Sequence, residues 1–406
     1  MPGILIRWRD ASFGMFARRT NWPLNPNRLS LAVVERRSCG LPILDLTESN
    51  PTVCGFDLDR RTVLSALAGE EILRYEPDPR GLLSARRAVV GYYAERGVQL
   101  SPEQIFLTTG TSEAYSYIFR LIANAGDHVL APQPSYPLFD YLAALNDVEV
   151  AGYPLYYGQA WHLDIATLEA RITPGSRAIL VVHPNNPTGS FVRASELERL
   201  AECCRTGGLS LVADEVFADY ALGANERHIG SHAGFAEVLT FTLSGLSKIS
   251  ALPQIKLAWI AVNGPPATLA QALDRLEIIA DTYLSVSTPL AAALPQLLEL
   301  RHSIQPQIVS RLQGNLEILD QTLGAHSPAT RLAIEGGWYA ILRLPSVRSD
   351  EDWAIELVKE EGVLVHPGHF YDFPTGSYLV VSLLPQPEIF SEGVSRIMRV
   401  MERTAT

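Results

Sequence analysis

Six short runs rich in apolar and β-branched residues recur along this chain: Gln104 to Thr108, His128 to Ala131, Arg177 to His183, Leu209 to Asp214, Val238 to Leu243 and Lys256 to Val262. Most are separated by helical patterns or longer connections. Short apolar runs of this kind suit strands buried on both faces, and strands joined through helices pair in parallel. The chain is therefore read as α/β, with a mainly parallel sheet covered by helices on both sides. Ligands of such sheets bind beyond the carboxyl ends of the strands. Four of the runs end directly in polar or glycine-bearing segments, TTGTSEA, HPNNPTG, ADEVF and SGLSK, so the site is expected where these four ends converge.

After Pro289 the pattern changes to a long helix, the strand-like GGWYAILRLP, a helix near Asp350 to Gly362, the strand-like VLVHPGHF and another strand at Tyr378 to Leu383. This reads as a smaller α+β domain closing on the first. The segment before about Leu29, rich in Arg, Asn and Pro, reads as an extended arm.

Composition narrows the classes of partner. A chain of 406 residues that is 47% hydrophobic buries a large core, and its net charge of −11, with no block of like charges, offers no nucleic-acid surface. The four cysteines, Cys39, Cys54, Cys203 and Cys204, follow no metal-ligand spacing and are read as reduced core residues, with no metal site. MPGILIRWRD holds only a four-residue apolar stretch before its first arginine, and no later run reaches membrane-spanning length, so a cytoplasmic protein with a small-molecule partner is expected.

Three segments carry chemistry. In TTGTSEAYSYIF a strand gives way to a helix at Thr111 or Ser112, where free N–H groups, hydroxyls and the positive helix end make an anion site. A plainly capped helix has the same residues. Lys248 follows VLTFTL among small hydroxyl residues; an amine desolvated at a sheet end has a lowered pKa and attacks an aldehyde, whereas a loop lysine stays solvated. Asp214 ends GGLSLVAD, where a buried carboxylate needs a cation such as a protonated pyridine nitrogen, unless it only caps a helix.

Taken in order, Gly110, Thr111, Ser112, Tyr136 in PSYPLF, Asn186 in NNPTG, Asp214 in DEVF, Lys248 in SGLSK and Lys256 resemble the class I aminotransferases of pyridoxal 5′-phosphate (PLP) fold type I. RYEPDPRGLLSARRAV, with Tyr75, and PGHFYDF match the same family in the same order, so the resemblance runs from about Leu29 to Met401. It implies an arm at 1–29, a large PLP-binding domain at 51–299 and a small domain from 30–50 with 300–406. It also implies that Lys248 holds PLP as a Schiff base and moves the proton between the substrate Cα and the cofactor. Asp214 then keeps the pyridine nitrogen protonated, Tyr136 stacks on the ring and Asn186 meets the phenolic oxygen. Thr111, Ser112, Ser247 and Lys256 bind the phosphate, with Ser244 as a further candidate. Tyr75 reaches the phosphate of a neighbouring subunit, which implies a homodimer.

Three positions depart from the family pattern. Lys256 replaces the usual phosphate arginine, a point charge in place of a fork. Phe217 replaces a tyrosine, so the cofactor's phenolic oxygen loses a donor worth roughly 1.5–3 kcal/mol. Val380, in YLVVSLL, stands where the family places the arginine that clamps the substrate carboxylate. Loss of one partner from such a buried pair costs about 3–5 kcal/mol, or about two to four powers of ten in affinity. Arg343 in ILRLP and His369 in PGHFYDF are the leading substitutes, with Arg18 and Arg19 in the arm, and Trp22 and Asn50 as lining residues. The leading function is transfer of an amino group from an amino acid or amine to a keto acid. The alternatives are a PLP-dependent lyase, decarboxylase or oxidase, and, from another class, a cofactor-sensing regulator, against which the short arm and the intact Lys248 and Asp214 both count.

Overall fold

The computed structural model describes residues 15–223, 229–324 and 327–405. In chain order the strands are β1 (Leu44–Asp45), β2 (Ile105–Thr108), β3 (His128–Gln133), β4 (Glu149–Tyr157), β5 (Trp161–Leu163), β6 (Ser176–Val182), β7 (Ser210–Asp214), β8 (Thr240–Gly245), β9 (Ala258–Asn263), β10 (Thr330–Arg331), β11 (Tyr339–Leu344), β12 (Val363–Leu364), β13 (His366–Pro367) and β14 (Ser377–Ser382). Eight of them form one sheet in the order β2-β9-β8-β7-β6-β3-β4-β5. Only β9 and β5 run against the others, so the sheet is mainly parallel, as the six apolar runs imply.

β6 shows why those runs lack alternation. Ala178, Leu180 and Val182 pack on one face with Phe106, Tyr115 and Val212, while Ile179 and Val181 pack on the other with Leu168, Leu200 and Leu211. Each Val, Leu or Ile among them contributes about 1.5–3 kcal/mol on burial, and both faces are filled. β4 and β5 have no counterpart among the six runs. Gly152 and Pro154 interrupt β4, and residues of those types read as breaks in a strand although here they pair with Ala131-to-Gln133 neighbours on β3.

A second, antiparallel sheet has the order β10-β11-β14-β13, and β1 pairs in parallel with β12. One face of this sheet, with Trp338, Ala340, Leu342, Leu379 and Val381, packs on Ile304, Ile308 and Leu312 of the helix Arg301–Leu323 and on Phe390 and Val394 of the C-terminal helix. The other face, with Ile341 and Val380, packs towards the large sheet, and this orientation carries Tyr339 to the ends of its strands. The long helix expected after Pro289 is two helices, Thr288–Glu299 and Arg301–Leu323, meeting at Leu300. VLVHPGHF holds β12 and β13, but its end turns into a short 3-10 segment, Gly368–Tyr371, because Asp350 accepts the His369 N–H. The arm holds a 3-10 turn at Arg18–Thr20 and passes into a helix at Arg28; its first 14 residues lie outside the described ones. Cys54, Cys203 and Cys204 are buried thiols as read from the sequence, whereas Cys39, at the end of the helix Arg28–Ser38, is exposed. Among the described residues no helix is long and apolar enough to cross a membrane.

Candidate active site

The ends of β6, β7 and β8 open into a cavity of about 370 Å³ lined by Thr111, Tyr136, Asn186, Asp214, Phe217, Ser247, Lys248 and Tyr339, among others. Lys248 lies in the short helix Leu246–Ile249 that β8 runs into directly. That sharp passage requires Gly245, since a Cβ there would lie 2.7 Å from the Cβ of Ala258 on β9. The Lys248 backbone carbonyl accepts the Tyr220 hydroxyl at 2.6 Å. Its Nζ sits 4.5 Å from the Trp338 ring centroid and 5.3 Å from that of Phe217. Burial in this aromatic setting pushes the amine down to about 8, with Asp214 pulling the other way.

Asp214 is buried at the end of β7. Its Oδ2 accepts the Tyr115 hydroxyl at 3.0 Å and its Oδ1 accepts the Val216 N–H at 3.1 Å. Burial nevertheless pushes the carboxyl up to about 6, against those two donors and Lys248. A carboxylate with hydrogen bonds but no ion-pair partner among the described residues, in a cavity, is a seat for a cation.

Asn185 and Asn186 divide the labour of the NNPTG loop. Asn185 Nδ2 is committed to the Pro134 carbonyl at 3.0 Å and Thr188 Oγ1 at 2.9 Å, whereas Asn186 Oδ1 is buried without a partner among the described residues and its residue lines the cavity. The loop presses against the small sheet at Gly189, with φ +70°, where a Cβ would lie 2.4 Å from the Gly336 carbonyl oxygen. Thr111 opens the twelve-residue helix Thr111–Ile122 and, with Ser247, puts hydroxyls at the cavity wall. Burial, then the charge of Asp214, pushes the Tyr136 phenol up to about 12.

This set suits PLP: a carboxylate for its ring nitrogen, an amide whose Nδ2 would donate to its phenolic oxygen, an amine for its aldehyde, an aromatic ring beside it, and hydroxyls at a helix start for its phosphate. Thr111, Tyr136, Asn186, Asp214, Ser247 and Lys248 are thus brought together. Gly110 and Ser112 flank Thr111 without lining the cavity, and Gly110 has extended backbone, φ 178°, that any residue adopts. Lys256 is exposed and outside the lining, in a left-handed conformation with φ +57°. Ser244 donates to the Glu215 carbonyl at 3.5 Å, and Tyr75 is 68% exposed, away from the cavity of its own chain.

A second cavity of about 520 Å³ adjoins the first at Ser49, Lys248 and Pro253 and is lined also by Asp45, Thr47, Glu48 and Asn50. Asn50 therefore lines this second cavity, whereas none of the candidates to replace the missing arginine, Arg343, His369, Arg18 and Arg19, lines either cavity. Arg343 is exposed on β11 opposite Tyr378, and four residues of strand carry it away from Tyr339. His369 is held 3.1 Å from Asp350, whose hydrogen bond raises its pKa. Trp22 packs edge-on against Tyr141 at 5.3 Å, Arg19 pairs with Asp147, and neither Arg18 nor Arg19 lines either of these two cavities. Val380 is wholly buried, paired with Ile341 and His366. Sequence reasoning missed Tyr115, Ser49 and Tyr339. Tyr115 was within reach, because it lies one helical turn after Thr111 on the same face.

The chain is similar to the glutamate-pyruvate aminotransferase AlaA of Haemophilus influenzae, at 26% identity over 374 residues, covering 89% of this chain and 91% of that one. It is similar to the alanine aminotransferase of Mycobacterium bovis at 28% identity over 373 residues, 88% of this chain and 85% of that one. The solved alanine aminotransferase of Pyrococcus furiosus has the same fold, with a TM-score of 0.83 at 22% identity over 92% of this chain and 96% of that one. A mutant aspartate aminotransferase of Thermus thermophilus gives 0.82 at 20% identity over 95% and 99%. The pattern of the aminotransferase class I and II family matches residues 44–385, a span that holds every position from Tyr75 to Val380 discussed above, and the chain belongs to that family of PLP-dependent aminotransferases.

Proposed function

We propose that Lys248 carries the cofactor and moves the proton in an amino-group transfer from an amine or amino acid to a keto acid, with Asp214 as the counter-charge to the ring nitrogen. When bound, PLP supplies the electrophilic carbon that takes up the amine and the ring that accepts electrons from the substrate Cα. The observation that carries the assignment is one cavity lined by both the Lys248 amine and the buried Asp214 carboxylate, where burial pushes the amine's pKa down and the carboxyl's up. Burial lowers the Lys248 amine from an ordinary lysine's value to about 8, so its neutral form, the nucleophile and proton acceptor, is reached far more readily than that of a solvated lysine. Asp214, held by Tyr115 and the Val216 N–H, keeps its charge when a cation meets it. Tyr136 bounds the ring space, Asn186 meets the phenolic oxygen, and Thr111 and Ser247 meet the phosphate. Gly110 and Ser112 belong to the same turn, and Lys256 adds a positive charge after β8.

The alanine and glutamate-pyruvate aminotransferases among the relatives support an amino acid and a keto acid as the substrate pair. The exposure of Tyr75 suits a homodimer in which it serves the partner's phosphate. The reading also takes residues 51–299 as the cofactor-binding body, 30–50 with 300–406 as the smaller domain, and the cytoplasm as its setting. Stoichiometric pyridoxamine phosphate, detected by mass after mixing the loaded protein with a donor and no acceptor, is the expected result, and Lys248→Ala abolishes it. Val380 favours one second reading, a lyase, decarboxylase or oxidase, because the group that orients the substrate decides which bond breaks. Catalytic release of ammonia, carbon dioxide or peroxide without pyridoxamine phosphate would replace the transferase reading.

A further inference from the structure

Two of the residues that line the cavity around Lys248 come from outside residues 51–299, and both carry hydroxyls: Ser49 and Tyr339. Residues 51–299 supply the groups that suit the cofactor, Thr111, Tyr136, Asn186, Asp214, Ser247 and Lys248. Ser49 and Tyr339 are left over, and they meet, because the Ser49 side chain hydrogen-bonds the Tyr339 phenol. Of their two hydroxyl hydrogens one is spent on that bond, so the pair keeps one to offer a ligand. Burial raises the phenol against the pull of Ser49, so it stays protonated near neutrality and is a donor without charge.

The backbone holds Tyr339 in register with the Lys248 amine. Tyr220, wholly buried, donates its hydroxyl to the Lys248 carbonyl at 2.6 Å and accepts on its own carbonyl the N–H of Gly337, two residues before Tyr339, at 2.9 Å. The entry to β11 fits closely there: a Cβ on Gly336 would lie 2.7 Å from the Tyr220 carbonyl oxygen, and Gly337 has φ +81°. The Phe217 ring neighbours both ends of this arrangement, 5.3 Å from Lys248 Nζ and 6.4 Å from the Tyr339 ring. Tyr339 also reaches the ring space, since after burial and Asp214 it is what raises the Tyr136 phenol. Among the described residues Lys248 is the only cation that lines this cavity or the adjoining one, so a carboxylate brought in beside the substrate amine meets no arginine and has to be held by uncharged donors.

We propose that Tyr339, with Ser49 behind it, determines specificity by binding the carboxylate of the amino acid and of the keto acid through a hydrogen bond in place of an ion pair. This rests on the transferase reading above, which makes both substrates carboxylates. Propionate, L-alanine without its amine, tests binding without chemistry. Titrated into the holoprotein it is expected to perturb the bound cofactor's absorbance, with a Kd about tenfold higher in Tyr339→Phe and a few-fold higher in Ser49→Ala, and propionamide, a neutral acceptor, changes less. Propionate that does not bind the unaltered protein, or that binds Tyr339→Phe as tightly, overturns the proposal. Loss of the cofactor from both variants in equilibrium dialysis overturns it too, by giving the pair to the cofactor. With L-alanine and no acceptor, Tyr339→Phe is expected to raise KM for pyridoxamine phosphate formation about tenfold and to change kcat little. An unchanged KM sinks this inference alone, whereas absence of pyridoxamine phosphate with every amino acid, while propionate binds as expected, sinks the transferase reading.

Discussion

Asp214 and Glu215 are consecutive carboxylates at one strand end, both buried, yet they answer burial in opposite ways. Asp214 faces the cavity and is pushed up to about 6. Glu215 faces away; burial pushes it up too, but His232, through its N–H at 2.6 Å and its ring at 2.9 Å, together with His183 and the Ser231 hydroxyl at 2.7 Å, holds it down at about 2. The protein satisfies one charge internally and leaves the other for a ligand. A buried polar group whose needs are unmet marks function here, and one whose needs are met marks stability. The same contrast separates Asn186 from Asn185.

Removing the unmet charge has the largest catalytic effect. Asp214→Asn is expected to lower kcat by roughly a thousandfold, the scale of losing a preorganised electrostatic partner, while the cofactor-free protein at pH 7 gains up to about 3 kcal/mol in urea unfolding. The sign follows from a folded-state pKa above the unfolded 3.8: ionising Asp214 costs stability, so its penalty appears as pH rises from about 4 through 6. A cofactor-free variant no more stable than the parent would break the comparison.

Glu215→Gln tests the opposite case. Loss of the carboxylate that accepts the His232 N–H, the His232 ring and the Ser231 hydroxyl is expected to cost about 1–3 kcal/mol of stability. Glu215 has a folded pKa below the unfolded 4.5, so its contribution is full above that value and disappears as pH falls through about 2; acid unfolding of the variant should be correspondingly flattened there. Phe217→Tyr returns a donor to the cofactor's phenolic oxygen and should move the pH midpoint of the bound cofactor's absorbance down by about one to two units. The smallest effect expected is that of Tyr115→Phe, which removes one hydrogen bond from Asp214 and should weaken cofactor binding roughly tenfold by equilibrium dialysis, with thermal unfolding of the cofactor-free form nearly unmoved.

The cofactor half was largely legible because each of its residues sits where a strand ends and a turn or helix begins, and such junctions are written within a few consecutive residues. Thr111, Asn186, Asp214 and Lys248 each belong to a segment whose apolar run sets the strand and whose small or polar residues set the exit. Tyr339 and Ser49 were not legible in this way, because they reach the cavity only when the second sheet folds back with one face towards the large one.

The sequence by itself determined six of the eight strands of the large sheet and the polar segments at their ends that line the cavity, since hydrophobic runs and local turn chemistry act over short stretches of chain. Tertiary structure alone decided what surrounds the substrate. Residues 45–50 come to lie beside Lys248 through β1 pairing with β12, some 320 residues later, and the same packing turns Arg343 and His369 away. Which of two possible charges faces a cavity is a matter of how distant surfaces dock, and no local pattern encodes that.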